Sequence, residues 1–401
     1  MTPWLTIVGV NPNGASSIGE QANMAIQSAV AVAGSKRLLD ILDVDNERRY
    51  IWPSPFSKGL AWLKSMSGQP IAVLASGDPM HYGVGSSLAS KFSIDEYCVL
   101  PAPSSFSLAA ARLGWALQDT ICLSLHGRPL QNLRTVLAPK TRLLILTRDG
   151  SAPAEIMRLL CQAKYSNSLV SVLENLGGNN EAYYEMRAKD GVDHNYSALN
   201  IMAVQCLLDK DAFYFSPIPG LPDSAFKHDG QLTKREVRAV TISSLIPRPN
   251  ELLWDIGAGC GSIAIEWLRC APHNMAIAFE HNQKRACMIR QNAIQLGVPH
   301  LCVVQESAPN CLLGQPQPDA IFLGGACSEK GIFETCWKML RSGGRFVANA
   351  ITLEGQAVLS DYHENFGGEI VNITISYVKS VGRFRGLHPG MPVMQWRILK
   401  P

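Results

Sequence analysis

Short apolar runs rich in β-branched residues alternate along this chain with stretches whose apolar positions recur every three or four residues. That is the pattern of buried strands and of the helices packed over them. In the first half, Trp4–Val8, Ile71–Ala75, Cys98–Leu100, Ile121–Ser124, Leu143–Leu146 and Leu169–Leu173 read as strands, with helices near Ile18–Ala33 and Gly83–Ala89. This order predicts an α/β unit with parallel strands. In the second half, Leu252–Ile256, Ala276–Glu280, Leu301–Gln305, Ala320–Leu323 and Phe346–Ala350 are predicted strands separated by helical stretches, the order of a doubly wound sheet. The densest break is Ser216-Pro217-Ile218-Pro219-Gly220-Leu221-Pro222-Asp223, where three prolines in six residues can neither donate backbone hydrogen bonds nor continue a helix. The expected organisation is a first domain over 1–208, a proline-rich linker over 209–225 and a second domain over 226–401.

Length agrees with that division, because 401 residues exceed the roughly 250–300 that one core supports. Lys and Arg total 36 against 33 Asp and Glu, with no run of five like charges, so no nucleic-acid footprint is expected. No apolar stretch approaches the ~18–20 residues of a membrane span, and Met1-Thr2-Pro3-Trp4 lacks a basic leader. A cytoplasmic protein without a membrane partner is the expectation. Eleven cysteines form no C-x-x-C pair and sit mostly in apolar runs, so they read as small buried hydrophobes rather than disulfides or a metal site.

The sharpest local signal is Asp255-Ile256-Gly257-Ala258-Gly259-Cys260-Gly261-Ser262, between a strand and the helical stretch Ile263–Arg269. Glycines let such a turn approach a nucleoside. The carboxylate of Glu280, 21 residues beyond Gly259 at the end of the next strand, stands where ribose hydroxyls are held. The register ends in Ser262 instead of the third glycine of a hydride-cofactor fingerprint, and Asp255 precedes the first glycine by two residues. A diphosphate is poorly served by that carboxylate, whereas S-adenosylmethionine carries an ammonium, a carboxylate and a sulfonium and needs no diphosphate cradle. S-adenosylmethionine is therefore favoured over a dinucleotide, with a ligand-free structural turn as the remaining reading.

Further motifs give the second half a family resemblance. His228-Asp229-Gly230-Gln231-Leu232-Thr233-Lys234-Arg235-Glu236-Val237-Arg238, Pro318-Asp319-Ala320-Ile321-Phe322-Leu323-Gly324-Gly325 and the run Gly343 to Glu354 resemble the decarboxylating precorrin-6Y methyltransferases of the cobalamin pathway. The resemblance implies that Thr233, Gly257, Ala258, Gly259, Cys260, Gly261, Glu280 and Ala308, with Asp255, line a cofactor site. Relatives usually carry Gly-Asp-Ala-Pro where this chain has Glu306-Ser307-Ala308-Pro309.

Four turns of the first half resemble the tetrapyrrole methylases, a second and unrelated S-adenosylmethionine fold. They are Val8-Gly9-Val10-Asn11-Pro12-Asn13-Gly14, Ser76-Gly77-Asp78-Pro79-Met80-His81-Tyr82-Gly83, Pro101-Ala102-Pro103-Ser104-Ser105 and Ser124-Leu125-His126-Gly127-Arg128-Pro129. The last of these, with Glu174-Asn175-Leu176-Gly177-Gly178, is similar to the precorrin-6Y branch. Asp78 alone reads equally as a helix cap, and His126 and Arg128 alone as solvated loop residues. Asn11 replaces a usual glycine, and asparagine tolerates positive φ.

Together the resemblances imply two folds in tandem, a tetrapyrrole methylase followed by a Rossmann-like methyltransferase, with one S-adenosylmethionine per domain and a precorrin as substrate. The first would methylate carbon 5, and the second would methylate carbon 15 and decarboxylate the ring C acetate. In the first cofactor site the implied residues are Gly9, Pro12, Gly77, Asp78, Tyr82, Gly83, Ser104 and Ser105. Catalytic roles fall to Asp78, His126, Arg128, Lys234 and Arg238, and substrate carboxylates to Arg235, Arg383 and Arg385 as well. No metal is expected, and a homo-oligomer through the second domain is. His194, His300 and His363 receive no role. Two other readings stay open. One is a methyltransferase of nucleic acid or another small molecule, which predicts an Asn/Asp-Pro-Pro-Tyr-like element where Gly324-Gly325-Ala326-Cys327 stands; the other is a nucleoside-binding regulator with one inactive half.

Overall fold

The computed structural model describes residues 3–191, 196–271, 273–325, 327 and 329–401, so His194 and Ala326 lie outside the described residues. The chain folds as two compact units, one of Met1–Leu130 with Ala138–Ala212, the other of Gln131–Leu137 with Phe213–Pro401.

The first unit contains two sheets. Strands β1 (Leu5–Val10), β2 (Ala31–Gly34), β3 (Arg49–Ile51), β4 (Ile71–Ser76) and β5 (Tyr97–Leu100) form the order β3-β2-β4-β1-β5, parallel throughout. Helices α1 (Glu20–Ser28), α2 (Lys36–Ile41), α3 (Phe56–Ser65), α4 (Val84–Ala89) and α5 (Ser105–Leu113) connect and follow these strands. The second sheet holds β6 (Thr120–Ser124), β7 (Arg142–Leu146), β8 (Leu169–Glu174), β9 (Ala182–Arg187) and β10 (Asn200–Gln205), in the order β6-β7-β10-β8-β9, with α6 (Ala152–Gln162) between β7 and β8.

Two sequence expectations are corrected here. The helix near Ile18–Ala33 ends at Ser28, and β2 follows it; Ala31-Val32-Ala33-Gly34 has little strand propensity of its own and is a strand because it is buried between β3 and β4. The parallel expectation holds for the first sheet and, in the second, only for β6 with β7. There β10 runs antiparallel to both its neighbours, and the short β8–β9 connection makes an antiparallel pair.

The second unit is built on seven strands: β11 (Leu252–Ile256), β12 (Met275–Phe279), β13 (Cys302–Val304), β14 (Ala320–Gly324), β15 (Arg345–Ala350), β16 (Glu369–Ile373) and β19 (Val393–Leu399). A separate hairpin pairs β17 (Ser376–Val381) with β18 (Phe384–Pro389). The sheet order is β13-β12-β11-β14-β15-β19-β16, parallel through β15 and antiparallel on both sides of β19. Helices α7 (Arg235–Leu245), α8 (Ser262–Cys270), α9 (Gln283–Gln295), α10 (Ile332–Met339) and α11 (Leu353–Phe366) complete it.

Strand alternation makes two cores. On β11, Leu253 joins the cluster under α8 and α9, while Leu252, Trp254 and Ile256 join Phe333, Phe346 and Trp396 on the other face. Strand order reverses between β11 and β14, so the crevice at their carboxyl ends is where a ligand fits. The doubly wound expectation stands. No helix among the described residues is long and apolar enough to cross a membrane. The cysteines depart in part from their expected burial, since Cys287 and Cys302 are exposed.

Candidate cofactor and substrate sites

In the second unit the turn after β11 is shaped by three glycines in the left-handed region, Gly257, Gly259 and Gly261, at φ +71°, +60° and +80°. Amides of Gly257 and Ala258 donate to the Phe279 carbonyl at 3.0 and 3.1 Å, tying the turn to β12. A Cβ on Gly261 would lie 2.8 Å from the Ile289 side chain, so this glycine lets α8 pack against α9. Among the described residues, a Cβ on Gly259 would meet only the Gln231 carbonyl within 4 Å, at 3.6 Å, which leaves an open face.

Glu280 is fixed at the edge of that face. Its Oε2 accepts from the Gly259 amide at 2.9 Å and its Oε1 from the Asn282 amide at 2.9 Å. Each carboxylate oxygen retains a second lone pair for a hydroxyl donor. The segment before α7 comes to the same turn through Gln231, and the Thr233 carbonyl is held by Arg238 Nη1 at 2.5 Å. Ala308 is partly buried just beyond β13, while Glu306 and Ser307 are exposed.

Asp255 and Cys260 are corrected. The Asp255 side chain lies beneath the turn, its Oδ2 accepting from the Ala264 amide in the first turn of α8 at 3.0 Å and its Oδ1 buried without a partner among the described residues. It ties the strand to the helix. The Cys260 side chain is buried in the core, and its backbone carbonyl accepts from Asn292 Nδ2 at 3.0 Å. The sequence places both beside the turn, but strand alternation and helix packing turn both side chains inward.

Burial pushes the Asp255 carboxyl up to about 7, against the Ala264 amide and with a small addition from Glu280. An unfolded Asp titrates near 3.9, so between about pH 4 and 7 the folded chain keeps a proton that the unfolded chain releases, and stability falls as pH rises across that window. Asp255→Asn removes this titration. In chemical unfolding at about pH 4.5 and pH 7.5, the variant is expected to gain on the wild type by a few kcal/mol at the higher pH. Parallel pH profiles would contradict it.

In the first unit three strand-end turns meet backbone to backbone. A Cβ on Gly9 would lie 2.4 Å from the Gly77 carbonyl oxygen and 2.6 Å from the Ala102 amide nitrogen. Gly77, at φ +62°, donates to the Val10 carbonyl at 2.9 Å. Beside this junction a cleft between the unit's two sheets is lined by Asn11, Pro12, Ser76, Gly77 and Ser105 on one side and Leu173, Leu176, Asn200 and Ile201 on the other. Asp78 stands next to it, Oδ1 accepting from the Met80 amide at 2.8 Å in a local turn; α4 begins from Gly83, so Asp78 does not cap it. A Cβ on Gly83 would meet the Pro79 carbonyl at 2.6 Å, so that loop closes on itself.

Ser104 is corrected: it is buried as the N-cap of α5, its Oγ accepting from the Ser107 amide at 3.1 Å, and Ser105 faces the cleft instead. The left-handed position of the first turn is Gly14 at φ +61°, not Asn11. Tyr82 is outside the cleft lining; its hydroxyl donates to the Cys122 carbonyl at 3.3 Å and its ring lies under Arg128. His126 is exposed on the same loop as Arg128.

Residues 5–190 match the family model of the tetrapyrrole (corrin/porphyrin) methylases, and residues 224–400 that of the precorrin methyltransferase domain. A precorrin-6Y C(5,15)-methyltransferase (decarboxylating) from a Sinorhizobium species is 44% identical over 397 residues, covering 99% of this chain and 96% of that protein. The chain belongs to the precorrin-6Y C5,15-methyltransferase (decarboxylating) family. Two shorter relatives carry single-activity names. A cobalt-precorrin-7 C(5)-methyltransferase of Salmonella typhimurium is 32% identical over 44% of this chain and 87% of its own length. A probable cobalt-precorrin-6B C(15)-methyltransferase (decarboxylating) of Saccharolobus solfataricus is 34% identical over 34% of this chain and 72% of its own.

For this precorrin methyltransferase the candidate cations divide sharply. Arg238 is fully buried, with Nε 2.6 Å from Glu266, Nη1 3.2 Å from Asp223, Nη2 on the Leu221 carbonyl and its Cζ 4.8 Å from the Phe226 ring centroid. Its expected work on a substrate carboxylate is therefore corrected: it clamps residues 221–233 to α8. Lys234 is exposed and 3.5 Å from Asp223. Arg235 is exposed, as are Arg383, lying over Phe384, and Arg385, paired across the hairpin with Ser380. Tyr377 donates to Glu236 at 2.7 Å, which brings β17 to the first turn of α7 where Lys234 and Arg235 stand.

Sequence reading missed the far wall of the first cleft. Leu173, Leu176, Asn200 and Ile201 come from β8, β10 and the loop after β8, and only the Glu174–Gly178 motif gave a signal there. Among the described residues no group of three or more His, Cys, Asp or Glu side chains is placed to hold a metal ion.

Proposed function

We propose that the chain is a bifunctional S-adenosylmethionine-dependent enzyme whose first unit methylates carbon 5 of a reduced precorrin-6 and whose second methylates carbon 15 and decarboxylates the ring C acetate, giving precorrin-8. The observation that carries this reading is the presence in each unit of its own cradle at the strand ends. The two shorter relatives, each with one of these activity names, support the division.

Both cradles fit the cofactor. At Gly9 a single added carbon would strike backbone, which is the construction of a site where main chain approaches a ligand. Around Gly259 the open face is bordered by a fixed carboxylate suited to ribose hydroxyls. Pro12, Gly77 and Ser105 would hold the molecule in the first unit, and Gly257 to Gly259 with Glu280 in the second. S-adenosylmethionine, when bound, supplies a methyl group on an electrophilic sulfonium. The chain's own work is orientation and exclusion of water, because an enamine-like meso carbon is already nucleophilic; correct placement is worth several kcal/mol.

For decarboxylation, the bond between the acetate methylene and its carboxylate breaks, carbon dioxide leaves, and the electron pair enters the conjugated protonated imine of the macrocycle. Protein cations serve best on the other carboxylates, away from that acetate. Lys234, Arg235, Arg383 and Arg385 are the candidates. Single alanine variants are expected to raise the KM for substrate about tenfold wherever a cation is engaged, with S-adenosylmethionine affinity unchanged. Four unchanged constants would remove them from the site. Anaerobic incubation with metal-free reduced precorrin-6 and S-adenosylmethionine, followed by product masses, tests the function as a whole: two added methyls and one lost carbon dioxide are expected, and no mass change would overturn it.

The reading extends to a cytoplasmic homo-oligomer. Cysteines outside any C-x-x-C pair suit a reducing compartment. Val378 with Leu387 on one face of the hairpin and Val381 with Phe384 on the other are 63 to 74% exposed, apolar pairs suited to a second copy. Sedimentation of Phe384→Asp as a smaller species than the wild type is the expected result; equal sizes would contradict it.

A further inference from the structure

Beside the first cradle, Tyr82 has a backbone conformation that needs explaining. Its φ is +58°, in the left-handed region that bulky side chains rarely adopt and keep only where the surroundings over-determine it. Three contacts do so. The His81 ring stacks on Tyr82 at 5.4 Å and lies against buried Phe106 at 4.6 Å between centroids, and the Tyr82 hydroxyl reaches the Cys122 carbonyl in β6. Closure of the loop through Gly83 adds a fourth restraint.

This conformation sets the ring, still 43% exposed, beneath Arg128, whose Cζ lies 5.2 Å from the ring centroid. Arg128 follows Gly127, at φ +67°, in an exposed loop, and it makes no ion pair among the described residues. A guanidinium held over a ring spends none of its N–H donors there, so its fork stays free for a carboxylate. The Tyr82 ring faces the Arg128 loop.

We infer that Tyr82 is a positioning residue of the first reaction: it holds Arg128, and Arg128 takes a carboxylate on the rim of the macrocycle. This rests on the proposed assignment of carbon 5 methylation to the first unit. It moves Tyr82 out of the cofactor set and gives its unusual backbone a purpose.

Tyr82→Gly tests it in the full chain, because glycine suits φ +58° and relief of that strain offsets the lost ring contacts, so the variant should fold, which a thermal melt checks. With metal-free reduced precorrin-6, Tyr82→Gly and Arg128→Ala are each expected to raise the KM for carbon 5 methylation about tenfold, the loss of one charge-assisted contact. Calorimetric affinity for S-adenosylmethionine and carbon 15 methylation should be unchanged. The double variant should be no worse than Arg128→Ala, and Tyr82→Phe, which keeps the ring under Arg128 but loses the hydroxyl contact with Cys122, should raise the KM less than Tyr82→Gly does. Weakened cofactor affinity in Tyr82→Gly, additive losses in the double variant, or a wild-type KM in Arg128→Ala would each overturn the inference. If Gly9→Ala were instead to abolish carbon 15 turnover and spare carbon 5, the division of labour beneath it would fail.

Discussion

Gly9→Ala is expected to abolish carbon 5 methylation while leaving carbon 15 methylation and decarboxylation intact. The new methyl carbon would stand 2.4 Å from the Gly77 oxygen and 2.6 Å from the Ala102 nitrogen. Both are main-chain atoms, so no side chain can swing away. Strands β1 and β4 are buried and paired along their whole length, so the turns must yield instead, by roughly an ångström. Misplacement on that scale costs on the order of 100-fold when catalysis is mostly orientation. Calorimetry should find one S-adenosylmethionine site in place of two, and product masses should show one methyl added. Two intact sites, or full carbon 5 turnover, would sink the reading of Gly9 as the junction of the cradle.

Much of this site was legible because glycine-rich turns after apolar runs are local features. Gly9, Gly77, Gly257, Gly259 and Glu280 all stand at the strand ends where the sequence put them, and the five parallel strands of the second unit were all found to within two residues at each end. Burial was not legible, because it is decided by what packs from elsewhere. Arg238 reads as one of three neighbouring cations, yet it alone faces inward, and Glu266 and Asp223, which neutralise it, are 28 and 15 residues away. Ser104 and Ser105 are adjacent and chemically equal; the start of α5 sends one to the cap and the other to the cleft.

Some of the strands that escaped notice lack a periodic apolar signal. On β17 and β18 nearly every residue is exposed on both faces, so no alternation marks them. Strand β9 alternates, but its outward residues include Tyr183, and it stands at the edge of its sheet with β8 as its neighbour. Tyr82 escaped for a different reason. Positive φ in a tyrosine is not written in its own side chain; it follows from a ring stack, a distant carbonyl and a neighbouring glycine acting together.

Gly259→Arg should produce the reverse of Gly9→Ala, with carbon 15 methylation and decarboxylation lost and carbon 5 methylation retained. Here the backbone argument is weaker and the volume argument stronger. An L-residue at φ +60° costs about 1–2 kcal/mol, which a domain of ordinary stability survives. A Cβ meets nothing closer than the Gln231 carbonyl at 3.6 Å, so the variant folds with its side chain in the open face. From there the guanidinium can reach Glu280, whose Oε2 already accepts from the amide of residue 259. A charge-assisted pair would occupy the carboxylate assigned to ribose hydroxyls and fill the space assigned to the nucleoside. Affinity at this site should fall at least about 100-fold, since both shape and hydrogen-bonding groups are lost together. Product masses decide the outcome, because decarboxylation is read separately from methylation. Loss of both in one variant places them at one cradle, whereas decarboxylation that continued without carbon 15 methylation would show that carbon dioxide leaves from a site that does not need the glycine turn.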